Sequence, residues 1–183
     1  MTVKEVIELS ADLVGVKESV SEYLAQGGEN GKSETDTLLG CYRLVENALA
    51  LDYFPLIAEE KVSATDGEVA FSSLARQVTH VLRVQNAYGA SLAFRLFPLS
   101  LKTDAGDLQI RYAYAPTEKG LQDDTETAPA VSARLIAYGV ASEYCLAKGF
   151  YEEASVWENR FKQALACAYG KRKVKKTAAR RWV

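Results

Sequence analysis

The densest chemistry in the chain lies at its C-terminal end. Lys171, Arg172, Lys173, Lys175, Lys176, Arg180 and Arg181 put seven cations into thirteen residues without one acid, and Trp182 and Val183 follow. Such a segment can dock electrostatically on an acidic protein surface, or it can neutralise nucleic-acid phosphates with a steep dependence on salt. A tail that only aids solubility has no use for a tryptophan. An aromatic side chain flanked by arginines is the composition of an interface hot spot. Docking to a protein partner through residues 171–183 is therefore the first reading, and nucleic-acid binding through the same tail is the alternative. Fully extended, the segment reaches about 43 Å, enough to cross a neighbouring subunit.

Catalysis has less to work with. His80 is the one histidine. It falls in a strand-like run between Val78 and Leu82, where it reads as a hydrogen-bonded packing residue rather than a base. No HxxxH or HExxH spacing and no Cys/His cluster offers metal ligands. No GxSxG, GxGxxG or complete phosphate-loop motif occurs. Gly31-Lys32-Ser33 has the closing residues of a phosphate loop, but Gln26 stands where the leading glycine is needed and a helix precedes it. It reads as a flexible linker. Glu59-Glu60, Asp123-Asp124 and Glu152-Glu153 are sequence neighbours, which point to different faces, so adjacency makes no dyad. They read as solvated surface. Cys41, Cys145 and Cys167 are odd in number and lack a CxxC spacing, as expected of reduced thiols packed as small hydrophobes. No catalytic, cofactor-binding or metal-binding residues are expected, and the chain reads as a non-enzyme. A small enzyme built from its tyrosines and carboxylates would need a deep pocket with titratable groups.

Composition agrees with a folded protein. The 183 residues amount to about one domain, and 48% hydrophobic with 25% charged residues is ordinary globular usage. No apolar run approaches the roughly 18 residues of a membrane span. The start, MTVKEVIELS, carries acids where a secretory leader needs a basic, then apolar, stretch. The net charge of −2 hides an asymmetry. Setting aside the seven cations of residues 171–183 leaves 15 basic and 24 acidic side chains, so the body carries −9 and the tail +7.

The spacing of apolar residues predicts the elements. Val3, Val6, Ile7, Ser10, Leu13 and Val14 give a helix over 3–26 that runs through Gly15 and ends at Gly27-Gly28. Leu38, Tyr42, Val45 and Leu49 stripe a second helix over 33–50. From about 56 to 115 the period becomes two. Val78, His80, Leu82 and Val84 share one strand face. Leu92–Phe97 alternates next, then Leu108, Ile110, Tyr112 and Tyr114. Turns at Asp66-Gly67, Tyr88-Gly89 and Asp104–Gly106 favour an antiparallel meander with 56–62 and 68–71 at its edge. Residues 116–127 form an acidic loop whose Asp123, Asp124 and Glu126 complement the start of a third helix over 129–148. Val131, Leu135, Tyr138 and Cys145 stripe that helix. Gly149 turns the chain into a fourth, over 150–169, striped by Ala154, Trp157, Phe161, Leu165 and Ala168. The expectation is an α+β fold. Two N-terminal helices and a C-terminal helical hairpin form a bundle, a small β meander is inserted over about 56–115, residues 1–170 make one domain, and a basic tail follows.

This order resembles the head–tail connector adaptors of tailed bacteriophages, the tail-tubular-A-like family, over about residues 34–170. The resemblance rests on Val78–Val84 (VTHVLRV), Tyr88-Gly89, Leu92–Leu96 (LAFRL) and Gly106–Tyr114 (GDLQIRYAY). It continues through the helix Ser132–Tyr144 (SARLIAYGVASEY), the Gly149 break, and a helix carrying Ala154, Trp157 and Phe161. It implies a non-enzymatic virion structural protein of the neck, assembled in the bacterial host cytoplasm. Such adaptors form a homo-oligomeric ring of about twelve copies beneath the portal protein. The bundle is then the ring wall, and the β part meets the next tail or neck component or the neighbouring copy. The C-terminal extension docks into the portal, and genomic DNA passes through the channel without sequence-specific contact. No membrane is implied.

Overall fold

The structure, a computed structural model, describes residues 1–64 and 66–170. The fold is α+β and divides into two compact units. A helical unit comprises residues 1–45, 119–125 and 129 onward; a β unit comprises residues 46–118 and 126–128.

The helical unit opens with α1, Val3–Leu13. Thr2 and Glu5 close a reciprocal capping box at its start, satisfying two otherwise orphaned amides. Val3, Val6, Ile7, Ser10 and Ala11 are its buried stripe. The expected single helix over 3–26 is not formed. Gly15 takes φ +77°, a left-handed conformation that a helix cannot continue through, and α2 starts afresh as Lys17–Gln26. α3 runs Lys32–Ala48 and buries Leu38, Tyr42 and Val45 as its stripe predicts, with Cys41 buried beside them. Its ladder then widens to a π-helical turn, Leu49–Tyr53, in the β unit.

α4, Ala133–Lys148, is buried nearly all round rather than on one stripe. It packs against both α1 and α5, Tyr151–Gly170. Ser132 accepts from the Leu135 amide and takes the N-cap, so the helix begins four residues later than the 129 start expected from Pro129. Gly149 closes it in the left-handed conformation. Across the hairpin the Ser142 hydroxyl donates to the Ala154 carbonyl at 3.1 Å, and Tyr138 stacks on Trp157 with ring centres 5.9 Å apart.

The acidic loop serves a different helix from the one expected. The Val3 and Lys4 amides, orphans of the first turn of α1, donate to the carbonyls of Asp123 (2.9 Å) and Leu121 (3.1 Å). The Thr125 amide donates to Met1, and the Arg43 side chain to Lys119. Residues 119–125 therefore form a strap along the start of α1. Glu126 belongs to the β unit, where it accepts from the Tyr114 hydroxyl at 3.0 Å and pairs with Arg76 at 3.5 Å. Neither complements the start of α4.

The β unit holds two three-stranded antiparallel sheets instead of one meander. In the first, β6 (Gly106–Tyr114) lies between β1 (Leu56–Ala64) and β3 (Val78–Asn86). In the second, β5 (Ser100–Lys102) lies between β2 (Glu68–Ala70) and β4 (Arg95–Leu96). The expected edge runs 56–62 and 68–71 are edges, but of different sheets. β3 departs from strict alternation through irregularities between Val78 and His80 and between Val81 and Arg83. Each adds one residue and flips the phase, so Val81 and Val84 point inward while His80, Leu82 and Arg83 are exposed. The predicted face shared by Val78, His80, Leu82 and Val84 is therefore wrong. The β6 face holds, with Leu108, Ile110 and Tyr112 in a core with Val69, Leu74, Val81, Val84 and Leu101. Most of the expected strand Leu92–Phe97 makes no ladder. Leu92 and Phe94 pack against the core, and only Arg95–Leu96 pair before Pro98 ends the run.

Candidate docking surfaces

The residues to which the sequence assigns docking, Lys171, Arg172, Lys173, Lys175, Lys176, Arg180, Arg181, Trp182 and Val183, lie outside the described residues. The other chemistry-bearing positions have definite places. His80 is exposed on an edge strand, so it is not a packing residue. Gly31-Lys32-Ser33 is a tight turn into α3 with Gly31 buried, not a flexible linker. Cys41 and Cys145 are buried as small hydrophobes, whereas Cys167 is exposed. Burial and the nearby Glu143 carboxylate push the Cys41 thiol up to about 11, which makes it a poor nucleophile.

Glu59 and Glu60 project to opposite faces of β1, as adjacent strand residues must. Glu59 accepts from Gln109 at 2.8 Å on the open face. Glu60 faces inward and accepts from the Tyr112 hydroxyl and the Ala75 amide. Burial, then this carboxylate, pushes the Tyr112 hydroxyl up to about 12. These bonds fasten the chain after β2 to the sheet; they are structural. Glu152 and Glu153 are exposed in the first turn of α5, where acids suit the helix dipole. Among the described residues no group of three or more His, Cys, Asp or Glu could hold a metal ion, and no helix is long and apolar enough to cross a membrane.

What the sequence does not single out is an apolar knob on the β unit. Leu96, Phe97, Pro98 and Leu99 form the tip between β4 and β5 and all are exposed, Leu99 to 81%. Side chains of this kind in a row are uncommon on a monomer surface and mark contact sites. The tip's backbone is nonetheless held. The Phe97 amide donates to Ser100 at 2.8 Å, and the Phe71 amide donates to the Leu99 carbonyl at 2.9 Å. The Lys102 ammonium lies 5.4 Å from the centre of the Phe97 ring and also pairs with Glu68 at 3.4 Å. That lysine and the Ser100 hydroxyl hold the Glu68 carboxyl below its usual range, the hydroxyl bond contributing most. The available signal was Pro98. A proline inside an alternating apolar run marks a tip or an edge, not a packed strand.

The same unit carries a hollow of about 330 Å³ at the ends of β1 and β6. Lys61, Ser63, Asp107 and Gln109 line it from the open face of the sheet, whereas the neighbouring Val62 and Leu108 belong to the core on the other face. The Ser63 hydroxyl donates to Asp107, which fixes that carboxylate in place.

The chain matches no protein-family model and no curated protein.

Proposed function

We propose that this chain is a non-enzymatic head–tail adaptor of a tailed-bacteriophage virion. It forms a ring under the portal protein, docks to the portal through residues 171–183, and lines a channel for DNA. The observation that carries this reading is the order of elements over about residues 34–170: α3, then an inserted β unit, then the α4–α5 hairpin. That is the order on which the family resemblance rests.

The chemistry of the chain suits the role. A buried α4 contacted by α1 and α5 makes a stiff element for a helical ring wall. A body of net charge −9 does not grip phosphate, so DNA can slide past it. The cationic tail with Trp182 supplies the attraction and the anchor that docking on a partner requires. Ordering the tail on the portal alone would make assembly sequential.

The test is a pull-down against the portal protein encoded in the same gene cluster, comparing the full chain with one truncated after Gly170. Capture by the full chain alone supports the adaptor and puts the dock in 171–183. Capture by both keeps the adaptor and moves the dock into the body. Capture by neither overturns the reading. A salt titration with DNA then examines the tail as a nucleic-acid binder.

A further inference from the structure

We propose that Arg83 and Arg111, on the open face of the sheet formed by β1, β6 and β3, bind the carboxylates of Glu152 and Glu153 at the α4–α5 hairpin tip of a second copy. The contact deepens the ring reading above, and it rests on that reading only for the closure of successive contacts into a ring.

The strand register places the charges of this face. Glu59, Arg111 and Arg83 stand side by side across β1, β6 and β3, and Lys61, Gln109 and Gln85 fill the next row. Arg83 and Arg111 are therefore directly opposed like charges, an arrangement that destabilises a sheet. Glu59 is the acid between them. It pairs with Arg83 at 3.9 Å and accepts from Gln109 at 2.8 Å. Asp107, the other acid on this face, is held by the Ser63 hydroxyl. Arg111 is half-buried, and its side chain makes no hydrogen bond or ion pair with a described residue. Three cations on one flat face of a body that carries −9 overall are thus left short of carboxylates. A guanidinium presents its donors as a fork that matches a carboxylate in two bonds.

Charge and exposure choose the occupant. Of the adjacent acid pairs, Asp123-Asp124 is engaged: Asp124 pairs with the terminal ammonium of Met1 at 3.8 Å, and Asp123 accepts from the Gly120 amide at 2.7 Å. Glu59-Glu60 is bonded within its own sheet. Glu152-Glu153 is exposed, and neither carboxylate is ion-paired with a described residue. Beside it Phe150 and Tyr151 are 54% and 72% exposed, and aromatic side chains are the usual anchors of an interface. Ile57, exposed in the row next to Glu59 and Arg111, gives them an apolar neighbour on the face. The tip's backbone is already fixed, because the Phe150 amide donates to the Cys145 carbonyl at 2.8 Å, so docking orders little new chain. Nucleic acid fits the face poorly. Glu59 and Asp107 repel phosphate, and no Phe, Tyr or Trp stands there for a base to stack on. Every copy offers one face and one tip, and they are different surfaces. The contact is heterologous, and such contacts propagate head to tail into a ring or a filament.

The test reverses each surface in the full chain. Arg83→Glu with Arg111→Glu makes the face negative, and Glu152→Lys with Glu153→Lys makes the tip positive. In sedimentation velocity the wild type should associate as its concentration rises, and less so at high salt. Each reversed variant alone should associate at least tenfold more weakly. Mixed, the two should regain most of the association. The unchanged tip of one then meets the unchanged face of the other, and the two reversed surfaces also match. A variant that merely fails to fold cannot be rescued by mixing. Should the face variant unfold at a lower temperature than the wild type, Arg83→Glu alone, at an exposed position, replaces it. A monomeric wild type overturns the proposal. So does association that survives either reversal, or a mixture that associates no better than its parts. A face variant that loses portal capture but still self-associates would assign the face to the portal, and that also overturns it. The comparison of full and truncated chains on the portal stands apart. A chain that captures portal but never self-associates overturns the self-contact alone, and one that self-associates in this pattern but captures no portal overturns the adaptor reading alone.

Discussion

Gly31 is pressed against the backbone of Ser19. A Cβ at position 31 would stand 2.0 Å from the Ser19 carbonyl oxygen and 2.5 Å from its carbon. Backbone cannot swing aside as a side chain can. Gly31 also has φ +75°, which disfavours any L side chain. Gly31→Ala should therefore cost about 2–4 kcal/mol, strain and overpacking together. Gly28, at φ +105° with nothing within 4 Å, is the control. Gly28→Ala should show the strain alone, about 1–2 kcal/mol. Equal midpoint shifts for the two in urea would contradict the close approach of the α2–α3 turn to α2.

At Gly139 the conflict is between side chains, so it can be relieved. A Cβ there would lie 2.8 Å from Val45 Cγ1 and 3.1 Å from the Phe161 ring. Alanine in mid-helix gains about 1 kcal/mol over glycine, but forcing a methyl into a packed core costs about 1–3 kcal/mol. Gly139→Ala should be net destabilising. Val45→Ala alone should also destabilise, by leaving a cavity. The double variant should be more stable than the sum of the two predicts, with a favourable coupling of about 1 kcal/mol or more. Simple additivity in denaturant unfolding would mean that α3 and α4 do not meet there.

The Tyr112–Glu60 bond gives stability an alkaline limit. Below pH 10 the hydroxyl keeps its proton in both states and the bond contributes in full. From pH 10 to about 12 the unfolded chain releases that proton while the folded chain holds it, so stability falls as pH rises. Tyr114, raised by burial and by Glu126, acts in the same direction. Tyr112→Phe should cost about 1–2 kcal/mol at pH 7 and flatten the decline above pH 10. Unfolding curves at pH 7, 9 and 11 check both; an unchanged alkaline slope would deny the proton to Tyr112.

Where local periodicity decided an element, it could be read in advance. α5 lies within one residue of its expected span, and the α3 stripe Leu38–Tyr42–Val45 is buried as spaced. The misreadings have local causes. The apolar spacing runs through Gly15, but its left-handed φ ends the helix there. The β3 irregularities invert the face that alternation assigns to Leu82 and His80. Residues 119–125 belong to α1 because hydrogen bonds from Val3 and Lys4 reach across 117 or more positions of sequence, which no window captures. The alternation over Leu92–Phe97 predicts a half-buried strand, but apolar character does not state which side faces water, and both Leu96 and Phe97 are exposed.

The three thiols should separate by burial alone. Cys41 and Cys145 are 5% and 4% exposed, and both are raised by burial, Cys41 to about 11. A disulfide reagent attacks through the thiolate, so these two need local opening and then ionisation before they react. Cys167 is exposed on α5. At pH 8 the folded chain should release one equivalent of chromophore quickly, and the remaining two only with denaturant. Cys167→Ser should abolish the fast phase and leave stability within about 0.5 kcal/mol of the parent. Cys41→Ser should leave the fast phase intact and cost about 1–3 kcal/mol, because a hydroxyl needs a hydrogen bond in a site shaped for a thiol. Two fast equivalents in the parent would place one of the buried cysteines at the surface and overturn the packing of α3 on α4.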